Sequence, residues 1–396
     1  MRILCLTARL PYPPDRGDRL RAYHFIRRWS AEHELTLVSF VSSRAELARV
    51  AALRPFTAAV HTLLQPPWAS AWAVARNLRR PLPLQLLYYR ARRMQRLVDA
   101  LLAQQSFDAA YVHLFRMAPY VAHHPRLYRI LDLTDVISRE AAHSLPYRPP
   151  LWRALYTLEQ PRIARYERQA ARAFDETWLI SEVDRRLLAA RCPDANLRLV
   201  PNGVDCERFR PLGGPPPGPA LAFVGNMGVF HNVDAAVFLA EAILPRVRAQ
   251  LPEATLRLVG AGGHPRVRRL AALPGVTVTG FVEDLNGLLN ETAVFLAPLR
   301  FSAGVQNKAL EALAAGVPVV TTPRVAAGLD ALPERDLLVG ETADELAAQA
   351  LRLLHDPALR ARLGANGRRF VQTHFRWDHA VARMRAIAAC LLKNSD

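Results

Sequence analysis

Short apolar runs alternate with longer amphipathic stretches from one end of the 396-residue chain to the other. In the first half the runs are ILCLTA, LTLVSFV, AVHTLL, AAYVHL, YRILDL, TWLIS and LRLVP; in the second they are LAFVGN, TLRLVGA, VTVTGF, VFLAPL, VPVVTT and DLLVGE. Each run has the length of a strand and each intervening stretch can hold a helix, a pattern that predicts parallel sheets with helical crossovers. Each half carries enough runs for its own doubly wound sheet, so the fold class is α/β with two Rossmann-like domains. Ligands of such sheets bind beyond the carboxyl ends of the strands, and two domains facing each other would hold substrates in a cleft between them.

Between the two sets lies PNGVDCERFRPLGGPPPGP, whose proline and glycine disfavour both helix and central strand. It predicts a linker over 201–219, after a first domain over 1–200 and before a second over 220–376. The N-terminal run is interrupted by Arg9 and lacks a cleavage site of small residues, and no segment approaches about 18 uninterrupted apolar residues. The expected location is therefore cytoplasmic. Cys5, Cys192, Cys206 and Cys390 show no metal-ligand or disulfide spacing.

The net charge is +17, and its distribution is uneven. Up to Arg186 there are 29 arginines against 16 acidic residues; the remainder has 23 basic residues against 19. A basic first half suits polyanionic partners, whether diphosphate substrates, anionic lipid or nucleic acid. No recognised nucleic-acid motif accompanies the charge, so nucleic acid is not expected. The segment from Pro66 to Arg93 mixes Trp68, Trp72, Tyr88 and Tyr89 with six arginines. It reads either as an anionic membrane surface contact or as a helical insertion packed on its own domain.

Only Lys308 and Lys393 among the 52 basic residues are lysines. A compact ammonium reaches a single phosphate oxygen where a planar guanidinium does not fit. Lys308 lies in APLRFSAGVQNKALEALAAGVPVVTT, where a strand ends, a loop carries Gly304, and a helix is predicted to begin near Val305. Outward N–H groups at a helix start favour a diphosphate. Glu311 falls one turn after Lys308, so both can face one ligand, the carboxylate accepting from ribose hydroxyls and the lysine contacting phosphate. A plain surface ion pair is the alternative.

Together GVQNKALEALAAGVPVV, VPNGVD and FVGNMGVFHNVDA resemble the family 4 retaining glycosyltransferases, whose fold is GT-B. The N-terminal LTARLPYPPDRGDRLRAYHFIRRW is similar to the subset found in bacterial exopolysaccharide clusters. The resemblance implies transfer of a sugar from a UDP- or GDP-sugar to a saccharide or lipid-linked acceptor, at the inner face of the plasma membrane. It places Glu311 on the donor ribose and Gly304, Val305, Gln306 and Lys308 around the diphosphate and sugar. It also puts Asn226 in a phosphate-side loop, Gly17 in a loop that meets donor or acceptor, and His113 on the sugar or the acceptor as a catalytic group beside Lys308. The final amphipathic segment, 377–396, is implied to pack back on the first domain.

Two departures from the family stand out. The first glutamate of its E-x7-E motif is Ala303 here, and the loop from Asn226 to Asn232 lacks the expected arginine and lysine. More of the diphosphate charge then falls to Lys308, with His231 or an arginine as a further source. Asp132 and Asp135 end a strand where either can receive a proton or hold an acceptor hydroxyl, and Asp18 is a potential helix N-cap after Gly17. No DxD-like motif lines the predicted loops, so neither a metal nor another cofactor is expected. The rival readings are a degenerate transferase serving as a scaffold in a membrane-bound assembly, and a sugar-nucleotide epimerase on the same fold. A pyridoxal-phosphate phosphorylase would need a Schiff-base lysine, and Lys308 is better placed for phosphate.

Overall fold

The structure is a computed structural model that describes residues 1–214, 216–301 and 304–393, with the side chains of 392 and 393 left aside. Ala303 lies outside the described residues. The chain divides into two compact units, Met1–Pro201 with Trp377–Asp396, and Asn202–Arg376.

All thirteen apolar runs form strands. In the first unit these are β1 (Arg2–Thr7), β2 (Glu34–Val41), β3 (Ala59–Leu64), β4 (Ala109–His113), β5 (Tyr128–Thr134), β6 (Glu176–Leu179) and β7 (Leu197–Leu199). They make one parallel sheet in the order β3-β2-β1-β4-β5-β6-β7. Alternation along β1 sends Ile3 and Cys5 to one face and Leu4 and Leu6 to the other, and each pair joins a separate buried cluster. Both faces are thus covered, which is why these strands read as continuous apolar runs.

One of those faces is completed from far along the chain. Trp377, Ala380, Met384 and Ile387, at the start of and within the helix Asp378–Lys393, are buried against Phe25, Trp29, Leu35 and Trp178. The Trp29 indole N–H donates to the Ala380 carbonyl at 3.2 Å.

The second unit holds β8 (Ala220–Val224), β9 (Thr255–Val259), β10 (Val276–Gly280), β11 (Val294–Ala297), β12 (Val319–Thr321) and β13 (Leu338–Val339), parallel and in the order β10-β9-β8-β11-β12-β13. In each sheet the strand order reverses once, between β1 and β4 and between β8 and β11. Those reversals open a crevice at the carboxyl end of the sheet.

The expected linker runs over 201–219. From Asn202 onward it belongs to the second unit. The Asn290 side chain accepts from Leu212 N at 2.7 Å and donates to Arg210 O at 3.0 Å, while Asn286 accepts from Arg210 N at 3.0 Å. Proline and glycine deny this stretch regular structure, but side chains of the unit satisfy its backbone groups instead. Among the described residues no helix is long and apolar enough to cross a membrane.

Candidate active site

Asn226, the stretch from Gly304 to Glu311, Gly17 and His113 each follow or close a strand at one of the two reversals, whereas Asp132 and Asp135 lie at the end of the neighbouring β5. In the second unit the loop after β8 carries Asn226, and the loop after β11 runs through Gly304, Val305 and Gln306 into the helix Asn307–Ala314. The helix begins two residues later than predicted, with Gln306 as its N-cap at φ −94 and ψ 100. Gly304 adopts φ +58, which a side chain would strain, and this turn lets the backbone enter the helix. Thr321 and Thr322, both buried, donate to Ala297 O at 2.7 Å and Leu299 O at 2.9 Å and fix the preceding loop. Asn202, in the PNGVD stretch, donates to Asn307 Oδ1 at 2.9 Å and ties that stretch to the helix start.

Lys308 projects from the first turn. Its ammonium donates to Asn232 Oδ1 and lies 5.1 Å from the centroid of the buried Phe223 ring. Asn232 in turn donates to the Asn226 carbonyl at 2.9 Å, and Asn226 Oδ1 accepts from Gly228 N at 2.9 Å, so the two loops are braced together. Lys308 and Glu311 keep some accessible surface, yet each is set among protein atoms as densely as an interior group. Burial pulls the Lys308 ammonium down to about 7 against the opposing pull of Glu311. Burial also pushes the Glu311 carboxyl up to about 7, opposed by Arg208 and then Lys308. Both groups lie one turn apart at the helix that follows β11, beside the β8–β11 reversal.

Phe223, Asn232 and Arg208 are members of this site that the sequence did not single out. Their contacts with Lys308 and Glu311 span long stretches of chain, and no local spacing signals them. Arg208 also lines a cavity of about 340 Å³ with Glu207, Arg210, Glu283, Asp284 and Asn286. Arg300, early in the β11 loop, holds Asp234 through two hydrogen bonds of 2.9 and 2.5 Å.

The loops after β8 and β9 pass in direct contact. Gly260 has φ +139, and a Cβ there would stand 1.9 Å from the Gly225 carbonyl. Gly260→Ala is expected to cost about 3 kcal/mol of stability, measured by denaturant unfolding, because the backbone carrying Asn226 must move.

In the first unit Gly17 opens the helix Gly17–Trp29 after β1, and His113 ends β4. The cap of that helix is Arg16, not Asp18. Asp18 lies in the first turn, where its carboxylate accepts from Arg9 at 2.8 Å; burial raises its pKa, but Arg9, Arg16, Arg116 and His113 outweigh that and hold it low.

His113 belongs to a buried network. Asp132 Oδ2 accepts from Arg21 Nε at 2.7 Å and from the Tyr111 hydroxyl, and lies 3.4 Å from His113 Nδ1. Although burial raises it, Arg21 and His113 hold the Asp132 carboxyl well below the usual range. Asp132 Oδ1 and His113 Nε2 are both buried without a hydrogen-bond partner. The next residue, Leu114, takes φ 71 and ψ 142, a conformation nearly confined to glycine. Asp135, half-buried, is pushed well up by burial, then by Asp184 and Glu140. Beyond β1, β2 and β3 lies a cavity of about 270 Å³, lined by Arg9, Arg16, Arg19, Glu46, Gln65 and Tyr89 among others.

Residues 218–356 match the family model described as Glycosyl transferases group 1. The chain is similar to a GDP-mannose-dependent monoacylated alpha-(1-6)-phosphatidylinositol monomannoside mannosyltransferase of Corynebacterium glutamicum, 29% identical over 51% of this chain and 58% of that one. A GDP-mannose-dependent alpha-(1-6)-phosphatidylinositol monomannoside mannosyltransferase of Mycobacterium tuberculosis is 31% identical over 52% and 60%. The chain thus spans a little under two thirds of the length of these relatives. Among solved structures it is similar to sucrose-phosphate synthase from Thermosynechococcus elongatus, with a TM-score of 0.74 and 16% identity over the whole of both chains. The Anabaena Alr3699/HepE complex with UDP and glucose gives 0.68 and 15% over 98% of this chain and 99% of that one. The fold is GT-B.

Proposed function

We propose that the chain is a retaining glycosyltransferase that moves a sugar from a GDP- or UDP-linked donor to a saccharide or lipid-linked acceptor. The observation that carries this reading is the pair Lys308 and Glu311, one turn apart at a helix start beside the β8–β11 reversal. The match over 218–356 includes this pair, the two mannosyltransferases are described as GDP-mannose-dependent, and the Anabaena structure holds UDP.

In this reading Glu311 accepts from the ribose hydroxyls, and Lys308 with the N–H groups of the helix start contacts the diphosphate. As the bond from the anomeric carbon to the diphosphate breaks, the negative charge that grows on the leaving group is met by groups already in place. The acceptor oxygen bonds to the same carbon from the same face, and its proton passes to an oxygen of the departing diphosphate. No metal enters this scheme. Gln306 and the backbone at Gly304 and Val305 hold the sugar that the family's first glutamate would otherwise contact. His113 Nε2 is held ready for a hydroxyl by the Asp132 network, and the 270 Å³ cavity with its arginines and tyrosine suits a polyol acceptor. A lipid-linked saccharide covers both an exopolysaccharide intermediate and the phosphatidylinositol mannosides named for the relatives.

The test is calorimetric titration of the protein with GDP and UDP in the presence of EDTA, followed by transfer assays with the matching sugar nucleotides and NMR of the product anomer. Binding on the order of micromolar for one nucleotide, with the anomeric configuration kept, is the expected result. Failure of both nucleotides to bind sinks the reading and favours a non-enzymatic scaffold.

A further inference from the structure

We infer that the first unit docks on an anionic lipid bilayer through the outer face of the helix Pro67–Asn77 and the opening turns of the helix Pro150–Ala173.

The first of these helices is turned the wrong way round for a packed surface element. Ser70 faces inward and is buried, whereas Trp68 and Trp72, on one stripe at i, i+4, are 74% and 64% exposed. Ala71 and Ala75 share that outer face, and Arg76 and Arg79 close it. A helix on a protein surface ordinarily buries its apolar stripe. The second helix repeats the anomaly: Leu151 is 80%, Trp152 52% and Leu158 64% exposed.

The two are structurally joined. Gln65, just before the first helix, donates to Tyr88 O at 2.9 Å, and Leu84 N, in the short helix Leu84–Tyr88, donates to the buried Glu159 at 2.7 Å. Two tryptophans exposed on the helix Pro67–Asn77 and a third on the helix Pro150–Ala173 exceed the scatter of single apolar residues normal on a surface.

Charge selects the partner. Between Glu46 and Asp99 the sequence holds nine arginines and no acidic residue, and between Glu140 and Glu159 it holds Arg148 and Arg153 with none. Indole rings settle at the headgroup level with cations beside lipid phosphates, a fit that a neutral protein surface does not offer. The inward side of the same helix carries Ser70 into the wall of the cavity lined by Arg9, Arg16 and Arg19. One turn of helix thus separates the proposed lipid contact from the cavity assigned to the acceptor. The docking face itself does not depend on that assignment.

The experiment is flotation of the full chain with phosphatidylcholine vesicles, with and without about 30% phosphatidylglycerol. Nucleotide titration of the same samples reports on the second unit separately. The protein should float with the anionic vesicles and not with the neutral ones. Trp68→Ala with Trp72→Ala should weaken binding by roughly a hundredfold, about tenfold for each ring withdrawn from the interface, and Leu151→Ala with Leu158→Ala by about tenfold. Phe281→Ala, which removes an exposed ring from the second unit, should leave it unchanged. The inference is overturned if the wild type does not float. It is equally overturned if the tryptophan pair can be removed without loss. Gel filtration showing that these tryptophans hold a dimer, with flotation unaltered by their removal, assigns the face to a second copy and also overturns it.

Discussion

Replacing Lys308 with methionine and Glu311 with glutamine together is expected to abolish nucleotide diphosphate binding while raising the melting temperature of the unliganded protein. The sign follows from the two shifted groups. A lysine whose folded pKa lies below its unfolded one destabilises the fold wherever the unfolded ammonium is charged, most fully below about 7. A glutamate raised to about 7 destabilises it above its unfolded value, most fully above about 7. Both penalties are partly expressed at neutral pH, and neutral isosteres of similar size remove them. A gain of about 1 to 2 kcal/mol, or about 2 to 4 °C, is the expected scale, read by calorimetry. Binding should fall by at least about a hundredfold, because a charge-assisted contact to phosphate and the acceptor of the ribose hydroxyls go together. In the wild type, affinity for the diphosphate should peak near pH 7. It falls at higher pH as the free ammonium loses its proton, and at lower pH as Glu311 gains one. Loss of binding with lowered stability would mean that the pair supports the fold rather than the ligand.

The second large effect is expected at Asp132. Asp132→Ala strips the counter-charge from Arg21, which is itself almost wholly buried, and leaves a cation in the core. Removing one partner of such a pair costs about 3 to 5 kcal/mol, which denaturant unfolding followed through tryptophan fluorescence will register in the first unit. Because the native carboxyl is held below its unfolded value, its contribution is complete above about pH 4 and is lost only as pH falls through the depressed folded value. Asp132→Asn keeps the shape and can still accept from Arg21 or Tyr111, so its cost should be smaller. A wild-type-like Asp132→Ala would mean that Arg21 reaches solvent and that the network does not constrain His113.

The central strands were legible because they are buried on both faces, so an apolar run such as LTLVSFV carries the signal without help from partners. The runs put His113 and Asn226 at or just past strand ends and Gly17 and Lys308 at the starts of the helices that follow, while the roles of Gly17, His113 and Asn226 rest on the family resemblance. Helix starts were less legible. Gln306 is extended and follows close on the positive-φ turn at Gly304, so the helix begins only at Asn307. For the segment 201–219, composition reports what it cannot form, not that Asn286, Asn290 and Arg368 hold its backbone groups. Phe223, Asn232 and Arg208 gave no local sign, because their contacts exist only once β8, the segment after it and the stretch that follows PNGVD meet around Lys308 and Glu311. The stretch from Pro66 to Arg93 showed its aromatic and basic content, but which side of the helix faced outward depended on Ser70 packing inward.

The return of Trp377, Ala380, Met384 and Ile387 to the core of the first unit has a consequence for synthesis on the ribosome. The second unit is continuous in the chain, so all its residues are available before those of the C-terminal helix have been made. Although the first unit emerges first, it lacks one wall over Phe25, Trp29 and Trp178 until translation reaches that helix. The order in which the two units finish folding is then the reverse of the order in which they begin, and the nascent first unit carries an uncovered aromatic surface throughout elongation, the kind of surface that chaperones hold.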